Sequence, residues 1–238
     1  MEYALLFIFA LAPSLIWLAF YLRRDAHPEP NRMILRIFFA GMFVAIPAIY
    51  IEHLLERFLS VFLTGQVFLP PTIFLLLYFL FVIALIEEFL KYIVVRIGVL
   101  RTPALDEPLD VMLYMVISAL GFAALENVLL LFKLVQIYSI SDVFLVNGVR
   151  FIQAIFLHAL VSGLFGYFIA LSLLRKRAGK WLFMAGLGIA TLLHGLFNFY
   201  IFTIGAKGIF YLLFPVAPLL ILAAFVSIAF RRLKEYSP

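Results

Sequence analysis

Long apolar runs alternate with short charged stretches along this 238-residue chain. Runs of spanning length fall at about 3–22, 33–51, 71–95, 111–132, 149–174, 181–203 and 208–230. About 20 apolar residues in a helix rising ~1.5 Å per residue cross a hydrocarbon core. The pattern predicts an all-α protein: a polytopic membrane helix bundle of seven to eight transmembrane helices, folded as one domain over residues 1–238. Between the second and third runs, Glu52 to Phe68 is mixed in character and reads as an interfacial helix or a re-entrant segment. The loop RRDAHPEPNR, Arg23 to Arg32, carries two prolines and reads as a turn-rich connector. The first run lacks a charged stretch before it and a small-residue cleavage pattern after it, so it reads as a retained span. No period of 20–50 residues repeats.

Composition agrees with the pattern. Hydrophobic residues make up 66% of the chain and charged residues 13%, with a mean hydropathy of +1.17; soluble domains are nearer half apolar and a quarter charged. The net charge of +5 is not a nucleic-acid signal, because the basic residues lie in short loops between spans. Thirteen Lys and Arg fall in the first, third and fifth loops and the C-terminal tail, and four on the other side. By the positive-inside rule the N-terminus is outside and the C-terminus cytoplasmic. There is no cysteine, which excludes disulfides, thiolate metal sites and a cysteine nucleophile.

Several side chains do not belong in lipid. Glu87, Glu88 and Lys91 interrupt the third run, Glu126 the fourth, His158 the fifth, and His194 and Asn198 the sixth. A carboxylate at bilayer depth is costly unless it faces a partner or a water-filled cavity. Counted from the cytoplasmic ends at ~1.5 Å per residue, Glu126, His158 and His194 lie at roughly 22, 24 and 20 Å. They share one level, in the half of the membrane away from the cytoplasm. Glu87 comes out between roughly 12 and 18 Å, depending on where its helix ends. Glu87 and Lys91 are four apart and share a helix face, as do His194 and Asn198.

Taken singly, each residue has a bland reading. A lone intramembrane Glu is more often a structural partner or proton site, a lone His a packed and hydrogen-bonded residue, and Asn198 interhelical glue. Ser118 and Ser162 read as helix packing. In conjunction the set can hydrolyse peptide bonds: a carboxylate takes a proton from water, a histidine acts as acid or ligand, and an amide receives the oxyanion. Glu126, His158 and His194 also form a donor set suited to zinc. HExxH is absent, so the common zinc-protease helix is not available.

The ordered set Glu87-Glu88-x-x-Lys91, Phe122-x-x-x-Glu126, His158 and His194-x-x-x-Asn198 resembles the PrsW family of intramembrane proteases. The opening PSLIWLAFYLRRDAHPEP, Pro13 to Pro30, is similar as well. The wider superfamily of CAAX prenyl endopeptidases and bacterial immunity proteases carries EExxxR and FxxxH; Lys91 and Glu126 depart from it as the PrsW branch does. The resemblance implies a protease of the cell membrane with catalytic residues Glu87, Glu88, Glu126, His158, His194 and Asn198. It also implies site-1 type cleavage of a single-span anti-sigma factor near its extracytoplasmic side. Both a zinc-dependent and a metal-free, glutamate-dependent mechanism are compatible with it.

Two other classes compete. A proton-coupled transporter would use buried Glu, His and Lys as a relay, and a non-catalytic scaffold would keep them as a polar hub. Proton or solute flux in liposomes without peptide cleavage would select the transporter. Activity in neither assay would leave the scaffold.

Overall fold

The computed structural model describes residues 2–23, 27–63, 70–175, 177–204, 211 and 213–236. Among these the regular structure is helical. The elements are α1 (Glu2–Leu22), α2 (Asn31–Leu63), α3 (Pro71–Leu77), a π-helical stretch (Tyr78–Ala84), α4 (Leu85–Gly98), α5 (Pro108–Leu134), α6 (Ile140–Ile152), α7 (Ala154–Leu174), α8 (Gly179–Thr203) and α9 (Val216–Lys234). Seven segments are long and apolar enough to cross a membrane, so this is a multi-pass membrane protein.

α5 is the centre of the bundle. Every residue from Leu109 to Ala124 is buried, as befits a helix that is apolar all round. α7, α2 and α1 pack around it. Its crossing with α2 depends on two glycines. A Cβ at Gly41 would collide with the Ser118 backbone, and one at Gly121 with the Phe38 carbonyl. Small residues let backbones approach closely in membranes, where helix association has little hydrophobic driving force. The opposite face of α2 exposes Phe39, Phe43, Ile46 and Tyr50 at helical spacing, a surface suited to hydrocarbon.

Three expectations change. The mixed segment after residue 51 is neither a separate interfacial helix nor re-entrant as far as Leu63; it continues α2. Residues 64–68 lie outside the described ones. The third span reaches Gly98 and contains the π-helical stretch, which the apolar pattern does not signal. The fifth span begins earlier than 149, at Ile140, where the Ser139 hydroxyl accepts from the Asp142 amide, and breaks at Gln153.

Two backbone carbonyls at helix irregularities in the spans are met by side chains, where lipid offers no donors. Pro13 inside α1 cannot donate to the Phe9 carbonyl four residues back. The Asn147 amide donates to it instead, at 3.1 Å. Beside the Gln153 break, the Trp17 indole donates to the Phe151 carbonyl at 2.9 Å.

Gly121→Val drives a side chain into the α2 backbone and is expected to cost about 3 kcal/mol, read as a lower melting temperature of purified protein in detergent. At Gly188 an added Cβ meets nothing within 4 Å, so Gly188→Ala should stay within about 0.5 kcal/mol. Equal melts for the two variants would remove the close crossing as a determinant of the fold.

Candidate active site

The residues singled out in the sequence meet at one place, brought together by four helices. α4 supplies Glu87, Glu88 and Lys91, α5 supplies Phe122 and Glu126, α7 His158, and α8 His194 and Asn198. Gly195 allows α8 to lie directly on the π-helical stretch: a Cβ there would sit 2.9 Å from the Leu80 Cα and 3.0 Å from the Phe79 carbonyl oxygen. That contact sets His194 beside the turn of α4 that carries the two glutamates. π-helical turns recur at functional sites.

Lys91 is fully buried and organises the group. Its ammonium donates to Glu88 Oε1 at 2.7 Å, to Glu87 Oε2 at 3.1 Å and to His158 Nδ1 at 2.8 Å. It also lies 4.4 Å from the centroid of the Phe122 ring, a cation–π contact. An ammonium has three protons and accepts nothing, so His158 Nδ1 must be the acceptor and its proton must sit on Nε2. Nε2–H then donates to Glu126 Oε2 at 3.0 Å.

The two adjacent glutamates have different surroundings. Glu88 is fully buried and its oxygens are occupied: Lys91 and His194 Nδ1–H donate to Oε1, the latter at 2.9 Å, and the Ser162 hydroxyl donates to Oε2 at 2.6 Å. Glu87 has a direct bond from Lys91 alone among the described residues, with His194 Nε2 at 3.8 Å and His158 Nδ1 at 3.9 Å. It lines a cavity of about 350 Å³ between α2, the π-helical stretch and α8. A second cavity, of about 320 Å³, opens between α5, α6, α7 and α8 and is lined by His158 and His194. Glu126, Asn198 and Ile201 line both.

Some site residues were not legible in the sequence. Ser162, read there as packing, holds Glu88. Arg150, one of the four basic residues counted on the outer side, donates to Glu126 Oε1 at 3.1 Å and to Asn127 Oδ1 at 2.8 Å. Asn127 in turn donates to Asn147 Oδ1 and to the Ala10 carbonyl, tying Glu126 to α6 and α1. The usable signals were Asn127 next to Glu126 in an apolar run, and Asn147 three residues before Arg150.

The donors suit a divalent cation. Glu87, His158 and His194 each offer an atom, all within 4.8 Å of one another, and all three residues are buried. Two histidines and a carboxylate are a common catalytic zinc set. The Glu88 bond to His194 Nδ1 leaves Nε2 as the free ligand atom, in the way carboxylates orient metal-binding histidines. The expected set named Glu126 where this group has Glu87; the Glu126 carboxylate is engaged by Arg150 and His158.

A carboxylate with spare acceptor capacity, imidazoles and an amide beside cavities inside a membrane bundle are the equipment of a hydrolase that works within the bilayer. Residues 29–228 match a family model described as PrsW family intramembrane metalloprotease. The chain is 32% identical over 214 residues to Protease PrsW of Bacillus subtilis (strain 168), covering 85% of each chain. It is 32% identical over 201 residues to Protease PrsW of Clostridioides difficile (strain 630), covering 82% of this chain and 78% of the relative. To Protease PrsW of Oceanobacillus iheyensis it is 27% identical over 194 residues, covering 79% of each. No solved structure matches. The chain belongs to the PrsW family and is an intramembrane protease of the cell membrane.

Lys91→Met keeps the length of the side chain and removes the charge shared by Glu87, Glu88 and His158. Breaking a buried ion pair from one side costs about 3–5 kcal/mol, so this variant should melt far below the parent in detergent. A melt equal to the parent's would show that the carboxylates do not depend on the ammonium.

Proposed function

We propose that this protease hydrolyses a peptide bond of a single-span membrane protein, with an anti-sigma factor as the substrate class, and that Glu87 is the general base. The observation that carries the base assignment is the contrast between the two glutamates. Glu88 already accepts three bonds, whereas Glu87 accepts one and faces a cavity.

In this reading Glu87 takes a proton from water and the hydroxyl attacks the scissile carbonyl carbon. The Asn198 amide donates to the oxyanion that forms. The proton held by Glu87 passes to the leaving nitrogen as the C–N bond breaks, directly or through His194. Glu88 holds His194 by Nδ1–H, and Lys91 donates to both carboxylates in the apolar interior. Glu126, fixed by Arg150, orients His158.

Zinc is the alternative to this metal-free route: Glu87, His158 and His194 would then hold the ion, Glu87 and His194 would be ligands and not base and proton carrier, and the metal would polarise the carbonyl and acidify its water. The Lys91 ammonium contacts two of the same atoms, Glu87 Oε2 and His158 Nδ1, so it competes with a cation for them. The basic loops argue for a cytoplasmic C-terminus and an external N-terminus. With that orientation the cavities lie in the outer half of the bilayer, in keeping with a substrate cut near its extracytoplasmic side. The anti-sigma assignment rests on the motif set shared with the family.

Glu87→Ala, Glu88→Ala and His194→Ala should each abolish cleavage of a confirmed substrate while folded protein stays in the membrane. Full activity in Glu87→Ala would by itself sink the base assignment, and full activity in all three would sink the site. Metal analysis with a chelator distinguishes the chemistries: activity lost to chelator and restored by zinc selects the metal mechanism, and resistance selects the glutamate-dependent one.

A further inference from the structure

The cavity beside Glu87 contains a third carboxylate to which the hydrolytic chemistry assigns no part. Glu52 lies on α2, and with Ala45 and Ile49 it forms a stripe at spacings of four and three that lines the same cavity as Glu87 and Glu126. Its Oε1 is shut off from solvent and has no hydrogen-bond partner among the described residues. The other two carboxylates of the cavity have cations: Lys91 for Glu87 at 3.1 Å, and Arg150 for Glu126 at 3.1 Å. Glu52 has none. A buried polar oxygen left without a donor is costly, and more so in a membrane, where water does not make up the loss.

Glu126, Asn198 and Ile201 line both cavities, one on each side of these side chains. An extended peptide with its scissile bond beside Glu87 and Asn198 therefore places one flank in the cavity between α5, α6, α7 and α8. That cavity is walled largely by apolar side chains such as Leu130, Leu145 and Phe197. The other flank lies against α2 and meets Glu52.

We propose that Glu52 is a specificity-determining residue: it forms a substrate subsite for a cationic side chain, lysine or arginine, close to the scissile bond, while the flank on the other side of that bond is apolar. The proposal rests on the protease reading above. The donor that Glu52 lacks among the described residues is supplied by the substrate, so charge complementarity selects which membrane segments are held in register. Lys91 and Arg150 do not compete for Glu52, since Lys91 is already held by Glu87 and Glu88 and Arg150 by Glu126.

The test uses the full-length protein in nanodiscs and labelled single-span peptides in which Lys, Gln or Glu is scanned along the outer half of the apolar segment. Binding and cleavage are measured separately. At one position Lys should bind about tenfold tighter than Gln and lower KM by a similar factor. Glu52→Gln, which is isosteric, should abolish that preference and bring KM for the Lys peptide to that of the Gln peptide. Glu52→Asp should keep the preference, and Glu52→Lys should turn it toward Glu.

Equal binding of Lys and Gln peptides by the parent, or an undiminished preference in Glu52→Gln, overturns the subsite. So does a uniform fall in kcat on all peptides, which would make Glu52 part of the reacting machinery. A charge preference in binding without cleavage of any peptide would sink the hydrolytic reading and leave the subsite standing.

Discussion

The site depends on one buried ammonium. Lys91 is surrounded by Glu88, Glu87, His158 and the face of Phe122, so groups from α4, α5 and α7 converge on a single charge. Glu88 extends the linkage to His194 on α8 and to Ser162 on α7. Charges are expensive inside a bilayer, and these persist because each has partners with opposite charge or matching protons. The same requirement fixes the packing, since a helix that rotated or slid would leave a carboxylate or an ammonium unpaired. Hydrophobic burial could not impose such a register, because lipid tails are as apolar as the helix faces they would replace.

Neighbouring residues in the chain acquire different tasks through what reaches them from other helices. Glu87 and Glu88 are separated by about 100° around α4. That rotation turns Glu88 toward Ser162 and His194, where its oxygens are occupied, and Glu87 toward an open cavity. The duplication of the residue in sequence conceals a difference between a carboxylate with three donors and one with a single donor among the described residues beside a cavity. The π-helical stretch one turn before them, and Gly195 against it, bring α8 close enough for His194 to reach both.

Residues that repair the backbone also support the site. Asn147 satisfies the carbonyl that Pro13 frees and accepts from Asn127, which accepts from Arg150, which holds Glu126. The proline position in the first span is thus linked by hydrogen bonds to Glu126 of the candidate site. Hydropathy averages over such residues, which is why Asn127, Asn147 and Arg150 stood out less than the glutamates and histidines. Each looks ordinary until the carbonyl or carboxylate it serves is known.

Much was decided by the sequence itself. Seven apolar runs define a membrane bundle because the hydrocarbon core demands about 20 apolar residues per span. Glu87, Glu88, Lys91, Glu126, His158, His194 and Asn198 marked the site because polar groups at that depth are costly. The i,i+4 spacing alone paired Glu87 with Lys91. Local pattern could not place Glu52, since a carboxylate near the end of an apolar run reads as interfacial until α2 is seen to continue past it toward the cavity. Nor could it say which glutamate is held and which is free, or that His158 is gripped from both sides. Those are properties of distance between helices far apart in sequence. They were settled by the crossings at Gly41, Gly121 and Gly195, where the absence of a side chain lets two backbones meet and fixes what every neighbouring side chain can reach.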